Sequence, residues 1–523
     1  MTGNAQPWDL LVVGGGTAGI VGAKTAARLG ARVALVERHR TGGDCLWTGC
    51  VPSKALLAAA GRAAKMRSGR QFGVGVDDVA VHFETVMDHV RGSIESIAPV
   101  DSVEALEAAG VRVISGHALF TGPTTISVDG SPAHARRILL ATGAAPAMPP
   151  IPGLSSTNAY TSEDIWELAS LPRRMVVLGG GSIGCELGQA FARLGASVTI
   201  VEALPSILPR EDPDAATLVR QALAYDGVEL LEGHSAVNVA GDRSSGTVTV
   251  QSSETTREID YDLLLVAVGR RPRTSDLGLD MAGIAMDPRG FVVVDRHLRT
   301  TNPRVWAAGD LTPHPQFTHV AGVHGSLAAS NAVLGLRRSI SPAAIPRVTF
   351  TDPEVAAVGA PTWNSSEASA TSDVRFVTRQ HSETDRAIVE GRTDGFARLA
   401  TDSKGRIVGA TIVGPRAGES ISEVTLAVKL GLTTRVLATT VHPYPTYADA
   451  AWNAAIADVQ ERLARPTTQR WLGRLVRARR VLGARSAMGS APSNHDVNEH
   501  GSAVRDAPAS GADASPPKSS APR

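Results

Sequence analysis

Twice along the chain a short apolar run ends in a cluster of glycines, passes into a helix-forming stretch and returns as a second apolar run closed by an acid. The first copy runs from Asp9 to Val13, turns through Gly14-Gly15-Gly16-Thr17-Ala18-Gly19, predicts a helix from Ile20 to Leu29, and returns from Arg32 to Val36 with Glu37 at its end. The second runs from Met175 to Leu178, turns through Gly179-Gly180-Gly181-Ser182-Ile183-Gly184, predicts a helix through Arg193, and returns from Ser197 to Val201 with Glu202 at its end. Unbroken apolar runs beside helical stretches predict buried parallel strands in βαβ units. Gly14, Gly16 and Gly19, and again Gly179, Gly181 and Gly184, make G-x-G-x-x-G, and in each copy the acid follows the first glycine by 23 residues. The glycines permit a tight turn and let a pyrophosphate approach a helix N-terminus, while the acid can accept from a ribose hydroxyl. Alone, such a triplet is an ordinary βα turn; with strand, helix and acid in place, twice, it predicts two bound dinucleotides.

Other stretches punctuate this pattern. Residues 55–137 read as helices and then a Gly/Val/Thr-rich β segment. Ile138-Leu139-Leu140 is a further strand, running into Ala141-Thr142-Gly143, and Pro146, Pro149, Pro150 and Pro152 mark a linker. Leu263 to Val268 and Gly269-Arg270-Arg271-Pro272 close the second unit, and Val305 to Ala308 leads to Gly309-Asp310. From about Pro346 strands and helices continue without a phosphate loop.

At 523 residues the chain exceeds one core, so about three domains are expected. A net charge of +1 gives no global case for nucleic acid. No apolar run approaches the roughly 18 residues of a membrane span. The passage from Met1 straight into the first strand leaves no room for a signal peptide, so a cytoplasmic location is expected. A persistent structural disulfide would be unusual there.

Two of the three cysteines, Cys45 and Cys50, lie in Gly42-Gly43-Asp44-Cys45-Leu46-Trp47-Thr48-Gly49-Cys50-Val51-Pro52-Ser53-Lys54. A helix is predicted just after Cys50, with Pro52 at its first position. Cys50 then sits at a helix N-terminus, which favours a thiolate. Residues i and i+5 of an ideal helix have Cα atoms roughly 8–9 Å apart, whereas a disulfide wants about 4.4–6.8 Å. Bridging therefore requires Cys45 to sit on an irregular lead-in, which Gly42, Gly43 and Gly49 permit. The pair reads as redox-active; two buried free thiols or half a metal site are the alternatives. No other His or Cys has zinc spacing, so no metal ligands are expected. Cys185 reads as a small packing residue.

The segment Gly42–Lys54 resembles the redox-disulfide motif of the pyridine nucleotide–disulfide oxidoreductases, the family of dihydrolipoamide dehydrogenase, glutathione reductase and mercuric reductase. The resemblance extends over roughly residues 8–465, through Ala141-Thr142-Gly143, Gly269-Arg270-Arg271-Pro272 and Gly309-Asp310. It implies an α/β fold of two Rossmann-like dinucleotide-binding domains plus a C-terminal α+β dimerisation domain. The domains would be an FAD domain in two parts (1–153 and 276–345), an inserted NAD(P) domain (154–275), a dimerisation domain (346–465) and a tail (466–523). FAD would be held by Gly14, Gly16, Gly19, Glu37, Gly43, Lys54, Ala141, Thr142, Gly143 and Asp310, the last on the ribityl chain. NAD(P)H would be held by Gly179, Gly181, Gly184, Glu202 and Gly269. NADH is favoured, because Glu202 suits a 2′-hydroxyl and repels a 2′-phosphate, and Ala203, Leu204, Pro205 and Ser206 supply no cation. The resemblance further implies a Cys45–Cys50 redox disulfide, with Cys50 facing the flavin and Cys45 as the interchange thiol. It also implies a Lys54–Glu186 pair beside the flavin, and a homodimer.

The segment His442-Pro443-Tyr444-Pro445-Thr446-Tyr447-Ala448-Asp449 departs from the disulfide-reducing members. Those carry a histidine directly before the Pro-Thr pair and a glutamate four residues after that proline, and the histidine reaches the partner subunit's disulfide as acid/base. Here the base position is Tyr444 and the orienting acid Asp449, one methylene shorter; His442 is out of register. With a pKa of about 10, tyrosine is a poor base at neutral pH. That argues against dihydrolipoamide dehydrogenase and glutathione reductase activity and is similar to mercuric reductase, yet no cysteine follows residue 185 to relay a metal inward. The expected function is electron transfer from NADH through FAD and the cysteine pair to a metal-ion, quinone or disulfide acceptor. A dihydrolipoamide dehydrogenase-type reductase and a redox-sensing flavoprotein with incidental turnover are the alternatives. Beyond the resemblance, Gln469 to Arg485 carries Arg470, Arg474, Arg477, Arg479, Arg480 and Arg485 without an acid, beside Trp471, Leu472, Leu475, Val476 and Leu482. Such a basic amphipathic helix permits peripheral contact with an inner membrane face. Beyond Ser486 the composition reads as a disordered tail.

Overall fold

The computed structural model describes residues 6–362 and 374–488, with side chains described to residue 481; the disordered-tail expectation falls almost wholly outside the described residues. The chain divides into two compact units, 1–460 and 461–523.

In the first unit the two expected βαβ copies each build a five-stranded parallel sheet. The first sheet runs Val305–Ala307, Ile138–Leu140, Leu10–Val13, Val33–Glu37, Val111–Ser115. The second runs Glu229–Glu232, Ser197–Glu202, Arg174–Leu178, Leu263–Val266, Tyr160–Thr161. In both, the strand before the glycine turn is central and apolar along its buried length, Leu10–Val13 and 175–178, because helices cover both faces of a parallel sheet. Leu10, Leu11 and Val12 have no exposed surface. Each copy also carries a three-stranded antiparallel sheet, at residues 118–134 and 235–261. A short ribbon pairs Ala144–Pro146 with Arg270–Pro272, so the chain leaves the first sheet and returns to it through adjacent strands. The C-terminal part of this unit is a five-stranded antiparallel sheet in the order Arg347–Thr349, Glu354–Gly359, Ile407–Gly414, Phe396–Thr401, Arg375–Gln380, with the helix Ala417–Leu430 on it.

Helix starts differ from the sequence reading. The first helix is Thr17–Arg28, beginning three residues before Ile20, because Gly16 caps it and Gly19 already lies inside it. The helix at the cysteines is Cys50–Ser68, capped by Gly49, so Pro52 is its third residue rather than its first. A first-turn proline is tolerated throughout that turn, where N–H groups have no intrahelical partner. The lead-in carrying Cys45 is not irregular but a short helix of its own, Gly43–Trp47. Gly42 at φ 104° admits the chain to it, and Gly49 breaks it from the next helix.

The second unit contributes the helix Pro466–Met488.

Candidate active site

Cys45 and Cys50 face each other across the break between the two helices, and both are free thiols. Cys50 opens its helix, where the unpaired N–H groups and the dipole favour negative charge. Its sulfur also lies 3.2 Å from Oγ1 of Thr318. Cys50 is lowered to about 6, first by a hydrogen bond from Cys45 and then by the Thr318 hydroxyl and the Lys54 charge, against its burial. Cys45 is pushed the other way, first by that same hydrogen bond and then by burial. The pair is thus divided into a thiolate at Cys50 and a thiol at Cys45.

Lys54, one turn into the same helix, places Nζ 2.8 Å from Oε2 of Glu186, and Glu186 is 5% exposed. The other Glu186 oxygen accepts from the Phe350 N–H at 2.8 Å, and the Lys54 ammonium stands 4.4 Å over the Phe350 ring. The expected Lys54–Glu186 pair is therefore present, tied to the first strand of the C-terminal sheet through a residue that the sequence did not single out.

A cavity of about 410 Å³ opens beside Cys45 and is lined by Gly14, Gly16, Glu37, Asp44, Thr142 and Asp310, among others. Gly43, Ala141 and Gly143 line it as well, whereas Lys54 does not. Gly14 stands at φ 106°, and a Cβ there would come within 2.4 Å of the Ala141 carbonyl oxygen. A Cβ on Gly19 would meet the Gly14 oxygen at 1.9 Å, and one on Gly184 would meet the Gly179 oxygen at the same 1.9 Å, so the helix of each copy packs directly on its own turn. At Gly143 and Gly181 a Cβ would meet nothing within 4 Å: these loops border open space. Burial raises the pKa of Asp310, opposed by Arg270. Arg270 also donates to Asp44, inside the redox motif, and to the Ala144 carbonyl at 2.9 Å. Asp44 and Arg270 were not singled out in sequence as a pair; 226 residues separate them.

The two acids repeat one arrangement. Glu37 accepts from the Gly15 N–H at 2.6 Å and from His39 N–H at 2.8 Å. Glu202 accepts from the Gly180 N–H at 2.7 Å and from Leu204 N–H at 2.7 Å. Each acid pins its own glycine turn, leaving further lone pairs for a ribose.

At the other end, Tyr444 is 68% exposed and its hydroxyl donates to Asp385, which holds its pKa above the ordinary tyrosine value. Asp449, read as the orienting acid, is not joined to Tyr444. It is 3% exposed and accepts from the N–H of Thr446 at 3.0 Å and from its hydroxyl at 3.2 Å, opening the helix Asp449–Ala464. One methylene less than glutamate keeps its carboxylate against the helix start, where a cap belongs. His442 stacks on Trp452 at 5.2 Å and lies 2.9 Å from Glu423, away from the tyrosine hydroxyl's partner.

Glycine turns with a pinning acid, twice, and a divided cysteine pair beside one of them define a flavin- and nicotinamide-dependent dithiol reductase. The chain matches the Pyridine nucleotide-disulphide oxidoreductase family over residues 8–325 and its dimerisation domain over residues 345–455, and so belongs to that family. It is 36% identical to a mercuric reductase of Bacillus cereus, over 84% of this chain and 70% of the relative. It is 35% identical to a dihydrolipoyl dehydrogenase of Geobacillus stearothermophilus, over 86% of this chain and 95% of the relative. Among solved structures it resembles LpdA from Mycobacterium tuberculosis, with a TM-score of 0.78 and 28% identity over 86% of this chain and 99% of that one. The Cu(II) complex of the HOCl-induced flavoprotein disulfide reductase RclA from Escherichia coli gives 0.76 and 28% over the same shares. The protein is an NAD(P)H-dependent flavin disulfide oxidoreductase with FAD and NAD(P)H as cofactors, and its dimerisation domain indicates a homodimer.

Proposed function

We propose that this enzyme draws electrons from NADH and delivers them through FAD and the Cys45–Cys50 pair to a metal-ion, quinone or disulfide acceptor. FAD, held by the turn at Gly14–Gly19 with Glu37, Gly43, the Ala141–Gly143 segment and Asp310, supplies two-electron transfer between nicotinamide and the cysteines. Cys50 stores the charge of the reduced pair, and Cys45 keeps the proton and meets the acceptor. Glu202 favours NADH, because both its oxygens already hold backbone N–H groups and no cation follows it to receive a 2′-phosphate. The domain boundaries expected above accompany this reading, with Gly269 at the return from the NAD domain.

The observation that carries the reading is the division of the pair, with Cys50 lowered to about 6 beside a protonated Cys45. Tyr444 bears on the acceptor. A phenol held protonated by Asp385 does not act as a base at neutral pH, so the acid/base step of a lipoamide-type reductase has no agent in it. That favours acceptors needing no thiolate protonation, metal cations first. The test is an anaerobic NADH titration followed by turnover with mercuric ion, cupric ion, a soluble quinone and lipoamide. We expect the first two electrons to leave the flavin oxidised with a long-wavelength thiolate–flavin band, and metal turnover to exceed lipoamide turnover. Immediate flavin bleaching without the band removes the cysteines from the path, and lipoamide turnover above the metals reverses the choice of acceptor.

We further propose that the helix Pro466–Met488 rests on an anionic membrane face from the cytoplasmic side. Eight arginines and no acid stand between residues 462 and 485, and Trp471 is 59% exposed beside exposed Leu475 and Val476. Among the described residues no helix is long and apolar enough to cross a membrane. The full chain should co-sediment with phosphatidylglycerol-containing vesicles in a salt-sensitive way and not with pure phosphatidylcholine. Arg470→Gln with Arg474→Gln and Arg477→Gln should release it; equal binding to both vesicles defeats the proposal.

A further inference from the structure

Cys50 receives help from a second part of the chain that the sequence motif does not contain. Thr318 is the first residue of the helix Thr318–Leu334, 268 positions beyond Cys50, and its Oγ1 lies 3.2 Å from the Cys50 sulfur. Cys50 is itself the first residue of its own helix. Two helix N-termini, each carrying unpaired N–H groups and a partial positive charge, therefore converge on one sulfur. Thr318 also lines the cavity beside Cys45. Its hydroxyl thus stands at the junction of the cavity and the cysteine pair.

We propose that Thr318 is a catalytic residue of this enzyme, a hydroxyl donor to the Cys50 thiolate that sets how far the reduced pair is polarised. The inference rests on the dithiol route proposed above. When two electrons and one proton reach the pair, the S–S bond breaks, Cys45 takes the proton as thiol and Cys50 keeps the electron pair as thiolate. The donor lies 3.2 Å from the Cys50 sulfur, and its smaller pull on Cys45 is outweighed there by the Cys45–Cys50 hydrogen bond and by burial, so the outcome stays unequal. The donor stabilises the anion of one sulfur and leaves the other as the nucleophile that gains a proton and loses it again to the acceptor. A hydroxyl stabilises the thiolate without adding a net charge to the site. Lys54 supplies charge from within the cysteine helix, but its ammonium is already engaged by Glu186 at 2.8 Å. The same hydroxyl can turn to accept from the Cys50 S–H when the reduced pair is fully protonated.

The test compares wild type, Thr318→Val and Thr318→Ser holoenzymes. Each is reduced anaerobically with one equivalent of NADH, and the long-wavelength thiolate–flavin band is followed from pH 4.5 to 8.5. In wild type the band should vanish with a midpoint near the value of about 6 given for Cys50. Thr318→Val, of nearly equal shape, should move that midpoint up by about one unit, and Thr318→Ser should restore it. Acceptor turnover at pH 6 should fall in Thr318→Val more than turnover at pH 8. An unmoved midpoint in Thr318→Val overturns the proposal, as does a serine variant that behaves like valine. Thr318→Ala gives the same reading should valine prevent FAD loading. If wild type itself shows no band, the dithiol route has failed and not the role of Thr318, because the two failures appear in different proteins.

Discussion

At the scale of single residues, the cysteine pair carries the clearest consequences. Cys45→Ser should abolish turnover with any acceptor that must be met by a thiol, while NADH oxidation by dioxygen at the flavin continues; steady-state assays with both acceptor types check this. Asp385→Asn should free the Tyr444 hydroxyl and bring its pKa back toward the ordinary value, since the Asp385 carboxylate is the largest cause of its elevation. An ultraviolet titration of tyrosinate, difference-corrected with Tyr444→Phe, measures that change. Which of these residues the sequence disclosed depends on how far apart the partners lie. Lys54 and Glu186 could be paired because each stands in a recognisable motif. Thr318 and Asp385 could not, because each acts through a partner 268 or 59 residues away and sits in no pattern of its own; Arg270 stands in a motif, but its partner Asp44 is 226 residues away. Asp449 misled for a local reason: its spacing fits an orienting acid, but its short side chain is spent on Thr446.

At the scale of elements, the two glycine turns were legible because strand, turn, helix and acid are contiguous. Helix starts were not, since the caps are glycines whose backbone geometry leaves no side-chain signature. The acid that pins the second turn gives a prediction at this scale. Glu202→Gln should lower the ratio of kcat/KM for NADH over NADPH by roughly tenfold, by removing repulsion of a 2′-phosphate while an amide oxygen still holds one N–H of the turn. The C-terminal sheet holds a further element-scale effect. His381 has no exposed surface, neither ring nitrogen has a hydrogen-bond partner among the described residues, and burial lowers its pKa to about 4. A Cβ on Gly414 would lie 2.2 Å from its ring, so the ring is closely enclosed. The native state keeps this ring neutral, and the unfolded state protonates it near 6.5. Its effect on stability is absent above pH 6.5 and becomes a loss as pH falls from there to about 4, reaching about 3 kcal/mol. Glu354, raised to about 6 by burial, works in the opposite sense. Comparing urea unfolding of wild type and His381→Leu between pH 7.5 and 4.5 isolates the histidine share, and the variant should lose less stability on acidification.

At the scale of the whole molecule, the resemblance puts the position of Tyr444 at the acceptor site of the partner subunit's cysteines, and we propose that the site is therefore a property of the dimer. Subunits carrying Cys45→Ser mixed with subunits carrying Tyr444→Phe should then regain acceptor turnover, because each mixed dimer rebuilds one intact site from two defective chains. Recovery absent after verified subunit exchange would mean that the tyrosine acts within its own chain or does not act. The two-copy plan of the fold was readable from the repeated turns, and the loss of any phosphate loop after Pro346 marked a change of pattern but not the antiparallel order of its strands. The ribbon joining Ala144–Pro146 to Arg270–Pro272 was not readable, because two three-residue strands carry no periodicity. Trp47 carries a last consequence for the assembled protein. Its indole N–H is fixed on the Thr41 carbonyl at 2.7 Å, the Arg40 guanidinium lies 4.0 Å over its ring, and it lines the cavity beside Cys45. An indole held rigid at the wall of a chamber meant for a yellow chromophore is a built-in optical gauge. Its emission overlaps flavin absorption, so energy transfer should dim it on loading, and the brightness of a preparation would report how much of it carries cofactor before any substrate is added.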